Sequence, residues 1–321
     1  MYDVIIIGAG PAGLSASIYA KRAGLRAITI DQNPISGGQV LNTYEVDNYP
    51  GLPGINGFDL GMKFREHADK LGCDFVTATV SHIVNLQGEA GLQAASVDGV
   101  DDNEIGFRVV TDAGIFTGRT VLVATGASHA KLNVPGEEEL SGMGVSYCAT
   151  CDGAFFKDKV VAVIGGGDVA VEDAIFLARG CNKVYLIHRR DQLRAAGILQ
   201  DKVKNLPNVE ILWDTVVERI EGVEQVESLL IKNVKTDETN TIPLDGVFVA
   251  VGIIPDSQLL QELAACDEKG YVLAGEDGSS SMPGLFVAGD IRVKKLRQII
   301  TAAADGANAI TAIQEYLLPK N

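Results

Sequence analysis

The chain lacks any apolar run long enough to span a bilayer. Its longest runs, such as residues 247–254, are far shorter than the roughly 20 residues that a membrane helix needs. No basic segment followed by a long apolar core opens the sequence, because Met1 and Tyr2 lead straight into the first predicted strand. We therefore expect no membrane association and a cytoplasmic location.

Basic residues and cysteines are also scarce. Lys and Arg number 27 against 42 Asp and Glu, so the formal net charge is −15 and a nucleic-acid partner is not expected. The 5 cysteines are an odd number with no export signal, which argues against a structural disulfide framework. Cys73, Cys181 and Cys266 stand singly and are predicted to be buried free thiols. Residues 87–106, acidic and rich in small residues, are predicted to form a solvated loop.

Two glycine motifs that each follow a short β-branched run are the main positive feature. The first is Gly8-Ala9-Gly10-Pro11-Ala12-Gly13, and the second is Gly165-Gly166-Gly167-Asp168-Val169-Ala170. An Ala-rich helical stretch follows each motif, which gives the strand–turn–helix context of a dinucleotide site. The glycines permit a tight turn and a close backbone approach, and the helix N-terminus favours a diphosphate. A chain of 321 residues has room for two such α/β halves.

The end of the next strand distinguishes the two predicted sites. After the first motif, a predicted strand ends in Asp31, whose carboxylate can accept hydrogen bonds from ribose hydroxyls, as suits FAD or NAD. After the second motif, the corresponding strand is followed by His188, Arg189 and Arg190, with Arg194 close behind. Guanidinium groups offer charge-assisted hydrogen bonds to a 2′-phosphate, so this site is predicted to prefer NADPH over NADH.

A Cys-x-x-Cys sequence, Cys148-Ala149-Thr150-Cys151, precedes the second glycine motif. Zinc is disfavoured because the chain has no second cysteine pair or histidine pair to complete four ligands, and no metal is predicted. A redox disulfide is favoured, because this spacing at a predicted helix start stabilises a thiolate and lets the pair oxidise reversibly.

Taken together, these motifs resemble those of the low-molecular-weight bacterial thioredoxin reductases. The resemblance covers essentially the whole chain and includes Cys148–Gly153, Gly289-Asp290 and Arg297-Gln298. It implies an α/β fold with two Rossmann-like nucleotide-binding domains, each three-layered around a parallel sheet, with an additional β-meander. An NADPH domain, residues 127–252, would be inserted into a discontinuous FAD domain formed by residues 1–126 and 253–321.

The same resemblance implies the residues of each site. FAD would be held by Gly8, Gly10, Pro11, Ala12, Gly13, Asp31, Gln32, Gly38, Gln39, Asn48, Ala124, Thr125, Gly126, Gly289, Asp290, Arg297, Gln298 and Ile299. NADPH would be held by Gly165, Gly167, Asp168, Val169, Ala170, His188, Arg189, Arg190 and Arg194. Cys151 would be the flavin-proximal thiol and Cys148 the thiol that attacks the partner's disulfide. Asp152, next to a thiolate that forms and disappears, would donate and accept the proton, although it could instead cap a helix beginning near Gly153.

The activity that the resemblance implies is NADPH-dependent reduction of a thioredoxin disulfide. Hydride would pass from NADPH to FAD, then electrons to the Cys148–Cys151 disulfide, and finally to thioredoxin or a similar small redox protein; a homodimer is also implied. A ferredoxin-dependent flavin thioredoxin reductase and an FAD-dependent thiol oxidase of the same fold stay open as alternatives, although the arginine cluster argues against both. Val169 stands where the family often has Ser or Thr, which leaves the preferred electron donor open.

Overall fold

The computed structural model describes residues 1–43, 46, 48–86 and 106–318. The loop predicted for residues 87–106 therefore lies outside the described residues, except for Gly106. The chain divides into two compact units, of which the first contains Met1–Asn42, Asn48–Ser128 and Ile254–Asn321, and the second contains Thr43–Asp47 and His129–Ile253. None of the helices in the described part of the chain is long and apolar enough to cross a membrane.

The two units are built from alternating strands and helices. The strands are β1 (Tyr2–Ile7), β2 (Ala27–Asp31), β3 (Phe75–Thr77), β4 (Val80–Asn85), β5 (Phe107–Thr111), β6 (Gly114–Val123), β7 (Ala127–His129), β8 (Val145–Ser146), β9 (Val160–Ile164), β10 (Lys183–Ile187), β11 (Val209–Leu212), β12 (Thr215–Gly222), β13 (Val226–Asn233), β14 (Thr239–Pro243), β15 (Gly246–Val249), β16 (Ile253–Pro255) and β17 (Leu285–Val287). The helices are α1 (Pro11–Arg22), α2 (Gly57–Lys70), α3 (Ala149–Asp152), α4 (Asp168–Leu177), α5 (Gly197–Lys204) and α6 (Ile299–Leu317).

Each unit has a mainly parallel sheet and an antiparallel addition. In the first unit the strand order is β3-β2-β1-β6-β5-β4, with β17 also paired to β6; the β4–β5 and β5–β6 pairings are antiparallel, while the other pairings are parallel. In the second unit the all-parallel order is β11-β10-β9-β15-β8, and β12-β13-β14 form a separate antiparallel meander. Strands β7 and β16 pair as a two-stranded sheet.

Residues 4–7 of β1 and all of β9 are apolar because both faces of each parallel sheet are covered there. In β1, Val4 and Ile6 pack with α1 and α6, whereas Ile5 and Ile7 face a second apolar cluster on the other side of the sheet. In β9, Val161 and Val163 likewise pack on the side of α4, and the alternate residues pack toward the meander. The layered arrangement confirms the predicted α/β class with two Rossmann-like cores and a β-meander.

Candidate active site: two glycine turns and a disulfide

The first glycine turn connects β1 to α1 in the first unit. Gly8 has a φ of 106°, which favours glycine, and a Cβ at Gly13 would overlap the carbonyl oxygen of Gly8. A Cβ at Gly10 would meet only the Cα of Gly38, at 3.9 Å. Gly10 also directly precedes Pro11, the first helical residue of α1. Gly8 and Gly13 therefore shape the turn, and Gly10 leaves open space of the kind that a diphosphate needs.

The structure brings two distant segments to this turn. The backbone N–H of Gly37 donates to the carbonyl of Ala9 at 2.8 Å, so the turn that contains Gly38 and Gln39 lies beside Gly10. A Cβ at Gly289 would lie 3.1 Å from the Cβ of Ala12, which brings the turn after β17 next to the start of α1. These predicted flavin-binding segments therefore lie around one glycine turn.

Asp31 ends β2 and is bonded to the same turn. Its Oδ2 accepts a hydrogen bond from the backbone N–H of Ala9 at 2.5 Å, and its Oδ1 accepts one from the N–H of Asn33 at 2.7 Å. A carboxylate has about four acceptor positions, so two remain for ribose hydroxyls. Gln32, the next residue, is exposed.

Asn48 and Gln298, two predicted flavin-site residues 250 positions apart, are in direct contact. The Asn48 Nδ2 donates to Gln298 Oε1 at 2.8 Å. Gln298 caps the N-terminus of α6, whose first residue is Ile299, and exchanges capping hydrogen bonds with Thr301. The start of α6 is thereby joined to the segment around Asn48.

The remaining first-unit predictions lie at the ends of β6 and near α6. Ala124 donates its N–H to the carbonyl of Ile7, and the Thr125 hydroxyl donates to the carbonyl of Asp256 at 2.7 Å; Gly126 follows. The guanidinium of Arg297 stacks over the Tyr271 ring, 4.0 Å from its centroid.

A buried ionic cluster, which we call the Asp305 cluster, holds the turn that contains Gly289 and Asp290. Its members are Asp305, Arg292 and Lys294. The Asp305 carboxylate accepts from Arg292 Nε and Nη2 at 2.8 and 2.7 Å, from Lys294 Nζ at 2.9 Å and from the Gly289 N–H at 2.9 Å. Burial alone would raise the pKa of Asp305, but the hydrogen bonds from Arg292 and Lys294 outweigh it and hold the pKa below its ordinary value. Sequence reasoning missed this cluster; the available signal was the single charged residue, Asp305, in the Ala-rich stretch 299–310.

Asp290 itself presents an unused acceptor. Its Oδ1 is buried and has no hydrogen-bond partner among the described residues, since Lys294 Nζ lies 3.8 Å away, beyond hydrogen-bond range. Burial raises the pKa of Asp290, against the opposing effects of Lys294 and Arg297. Leaving such an acceptor unpaired is unfavourable, so the site is suited to a ligand hydroxyl.

The second glycine turn, in the second unit, has the same plan. A Cβ at Gly165 would overlap the carbonyl oxygen of Ala250, and one at Gly166 would overlap the His188 ring, whereas one at Gly167 would meet nothing within 4 Å. Gly167 caps α4, whose first residue is Asp168. The open position again lies at a helix N-terminus.

Residues at the start of α4 differ in what they contact. Asp168 Oδ1 accepts from the backbone N–H of Ala196 at 2.7 Å, and Ala170 is buried under the turn. Val169 is 55% exposed, so its apolar side chain stands at the surface where a hydroxyl was expected from the family pattern.

Three arginines after β10 form an exposed cluster. Arg189, Arg190 and Arg194 are exposed, and no carboxylate forms an ion pair with them within the described ranges. The nearby acids Asp191 and Asp214 are instead paired with Lys235, at 3.2 and 3.0 Å. The backbone N–H of Arg194 donates to the carbonyl of Gly166 at 2.7 Å, which joins the cluster to the glycine turn.

His188 lies beneath the second turn. Its side chain is buried, and its Nε2 has no hydrogen-bond partner among the residues described. Burial lowers the pKa of His188, a backbone hydrogen bond with Gln192 opposes that change, and Arg194, Arg190 and Arg189 lower the pKa further. The ring packs against Gly166.

Cys148 and Cys151 form a disulfide, with 5.3 Å between their Cα atoms. Cys148 precedes α3 and Cys151 lies within it. Because α3 has only four residues before a 3₁₀ turn continues the chain, the helix dipole available to a thiolate is small. The Thr150 hydroxyl lies 3.4 Å from Cys148 Sγ. The other three cysteines are free; Cys181 is buried, as predicted, but Cys73 and Cys266 are only half-buried because each lies near the edge of its apolar cluster.

Asp152 follows the disulfide and is half-buried. Its Oδ2 accepts from the Ser146 hydroxyl at 2.6 Å, while its Oδ1 is buried with no partner in the described part of the chain. Burial raises the pKa of Asp152, and the Ser146 hydrogen bond opposes that rise. The alternative role as a helix cap is wrong, because the Asp152 side chain makes no capping hydrogen bond to the turn beginning at Gly153. No group of three His, Cys, Asp or Glu residues suited to a metal occurs among the described residues.

Comparisons with known proteins agree with the motifs. Residues 2–306 match the family model described as pyridine nucleotide-disulphide oxidoreductase. A thioredoxin reductase of Listeria innocua is 42% identical over 319 residues, covering 99% of this chain and 94% of that protein. A thioredoxin reductase of Bacillus subtilis is 40% identical over 318 residues, covering 99% and 95%. The crystal structure of thioredoxin reductase from Streptococcus pyogenes aligns with a TM-score of 0.85 at 41% identity, covering 99% of this chain and 98% of that one. The resemblance inferred from the motifs is thereby confirmed.

Proposed function

We propose, from the premise that this chain belongs to the pyridine nucleotide-disulphide oxidoreductase family, that it is an NADPH-dependent thioredoxin-disulfide reductase. Membership of the family implies a flavin and a pyridine nucleotide. The observation that carries the finer proposal is the Cys148–Cys151 disulfide in the same unit as a glycine turn flanked by three exposed arginines, which form no ion pair within the described residues. A disulfide of this spacing is a redox group rather than a structural cross-link.

The residues of the first unit fit FAD. Gly10 leaves an open cradle at the N-terminus of α1 for the diphosphate, and Asp31 keeps free acceptor positions for ribose. Asp290 Oδ1 offers the buried acceptor that a ribityl hydroxyl would satisfy. When bound, FAD supplies two-electron redox chemistry between a nicotinamide and a disulfide. The Asn48–Gln298 contact and the N-terminus of α6 would hold and orient the ring system.

NADPH, rather than NADH, is the proposed electron donor. Arg189, Arg190 and Arg194 are exposed after β10, whereas the acids next to them are neutralised by Lys235. A 2′-phosphate would give each guanidinium the anionic partner that it lacks among the described residues. The open position at Gly167 would receive the diphosphate.

The dithiol carries the electrons to the partner. Two electrons break the S–S bond of Cys148–Cys151 and leave one thiol and one thiolate, the thiol proton coming from Asp152. Cys148 then attacks the disulfide of thioredoxin, forming a mixed disulfide, and Cys151 displaces the reduced partner and restores the internal disulfide. The Thr150 hydroxyl, 3.4 Å from Cys148 Sγ, would stabilise that sulfur while it is anionic.

Anaerobic NADPH oxidation by the FAD-loaded protein, with and without oxidised thioredoxin, tests this proposal. We expect turnover that requires thioredoxin and is abolished in Cys148→Ser and Cys151→Ser, while Cys73→Ser, at a half-buried free thiol, keeps full activity. Turnover that needs oxygen and no protein disulfide would instead identify a thiol oxidase, and reduction by ferredoxin but not NADPH would identify the ferredoxin-dependent enzyme. A homodimer and a cytoplasmic location remain predictions for sedimentation and fractionation experiments.

A further inference from the structure

Ser146 contacts both the side chain of Asp152 and the backbone of Cys148. It is the last residue of β8 and is 6% exposed. Its Oγ lies 2.6 Å from Asp152 Oδ2 and 3.1 Å from the backbone nitrogen of Cys148. One buried hydroxyl therefore contacts both groups.

The direction of these hydrogen bonds follows from the donors available. A hydroxyl has one hydrogen and two lone pairs, and the Cys148 N–H can only donate. Ser146 Oγ accepts that N–H and directs its own hydrogen to Asp152 Oδ2, because the alternative acceptor, the Cys148 carbonyl, is 3.4 Å away. This leaves Asp152 Oδ1 as the oxygen with no partner in the described residues.

We propose that Ser146 is a positioning residue that holds the Asp152 carboxylate through Oδ2, so that Oδ1 takes up and releases the proton during turnover of the dithiol. The assignment of the reaction rests on the proposed function. As two electrons from the pyridine nucleotide, carried by the flavin, break the S–S bond, one sulfur takes the proton from Oδ1 and the other becomes a thiolate. When the partner disulfide reoxidises the pair, that proton returns to Oδ1, and the partner's two sulfurs take their protons from solvent.

Other groups near Asp152 also titrate. In the reduced pair the thiols of Cys148 and Cys151 do so, and on helix α4, which packs against α3, burial raises the pKa of Asp173 to about 7, with a further rise from Glu172. The pKa of Asp152 itself is shifted by burial and by the Ser146 hydrogen bond, not by these acids. Removing the Ser146 hydroxyl should therefore move the step due to Asp152 and leave the steps of the thiols and of Asp173 in place.

The test uses the full chain reduced with dithiothreitol, so that neither nucleotide is needed. The rate of iodoacetamide alkylation of Cys148 is followed across the pH range by mass spectrometry, and the step due to Asp152 is identified by its absence in Asp152→Asn. In Ser146→Ala we expect that step to move upward by about one pH unit, as the loss of one charge-assisted hydrogen bond to a carboxylate predicts. Ser146→Thr, which keeps a hydroxyl, should restore the wild-type profile.

The matched control is Ser228→Ala, which removes another serine–carboxylate hydrogen bond in the same unit, 2.9 Å long and made to Glu221. It should leave the profile unchanged. Three results would each overturn the inference. The first is a step that stays at its wild-type pH in Ser146→Ala. The second is a shift that persists when Ser146→Ala is combined with Asp152→Asn, and the third is a wild-type profile that shows no step due to Asp152. If the wild type instead fails to reduce thioredoxin with NADPH, the proposed function fails, while the alkylation profile still tests Ser146.

Discussion

Replacing Asp305 by Asn should destabilise the first unit far more than a surface ion pair could explain. The substitution keeps the shape of the side chain and removes its charge. Arg292 and Lys294, whose side chains are 4% and 6% exposed, would then lose their principal anionic partner without gaining access to water. The Gly289 N–H would also lose a charged acceptor.

The expected magnitude follows from that burial. Removing one partner of a buried ion pair costs about 3–5 kcal/mol, because the remaining charge stays desolvated. Asp305 bonds two cations, so we expect the free energy of unfolding to fall by an amount in that range at neutral pH. An exposed pair contributes less than about 1 kcal/mol. Asp69→Asn is the matched control, since the Arg65–Asp69 pair has side chains that are 28% and 53% exposed.

The difference in free energy of unfolding between the wild type and Asp305→Asn is measured by urea unfolding, followed by far-ultraviolet circular dichroism, for both FAD-free and FAD-loaded protein. Because the folded-state pKa of Asp305 is lowered, its stabilisation is present above the unfolded-state pKa and is lost as the pH falls through the folded-state value. The gap between wild type and Asp305→Asn should therefore be complete at neutral pH and narrow below about pH 4. The FAD-loaded variant should also release flavin at lower urea concentration than the wild type.

Similar unfolding midpoints for Asp305→Asn and Asp69→Asn would refute this account of the Asp305 cluster. A gap that does not change with pH would also refute it, since the effect would then come from altered packing rather than from the lost charge.

Three further predictions concern the nucleotide sites. Gly167→Ala should keep the wild-type melting temperature and raise the KM for NADPH at least about tenfold, because the added Cβ would enter only the space proposed for the diphosphate. Gly166→Ala should instead lower the melting temperature, because its Cβ would overlap the His188 ring. Equal effects of the two substitutions on melting temperature and KM would contradict the geometry. In fluorescence titrations, Arg190→Ala should weaken NADPH binding by roughly ten- to a hundredfold and leave the affinity for NADH unchanged. Arg219→Ala, at an exposed arginine on β12, should change neither affinity. Because burial raises the pKa of Asp290, ionisation of that carboxyl destabilises the FAD-free fold as the pH rises. At neutral pH the FAD-free Asp290→Asn variant should therefore unfold at higher urea concentration than the wild type, and it should bind FAD more weakly. A FAD-free variant less stable than the wild type would contradict this prediction.

Local signals in the sequence were sufficient for the fold class and for the main elements of each site. The β-branched runs before Gly8 and Gly165 predicted buried parallel strands, since side chains on both faces of such strands need apolar surroundings. The glycine spacing, Asp31 and the arginines after β10 each lie within about 30 residues of their motif, so one βαβ unit suffices to relate them. The roles of those residues as nucleotide ligands remain predictions.

Contacts between distant residues could not be obtained from the same signals. Asn48 meets Gln298 across 250 positions, and no pattern in either segment specifies that pairing. Ser146 lies only six residues from Asp152, yet the direction of its hydroxyl depends on how β8 enters α3.

What the sequence by itself determined is therefore the order of strands, turns and helices and the chemical groups that each motif carries, because periodicity and glycine conformation act over a few residues. The tertiary structure alone decided which buried carboxylate oxygens have no hydrogen-bond partner among the described residues, as at Asp152 and Asp290, and which charges are buried together, as around Asp305. Those properties depend on desolvation and on hydrogen-bond distances of a few ångströms, which exist only after the chain has packed.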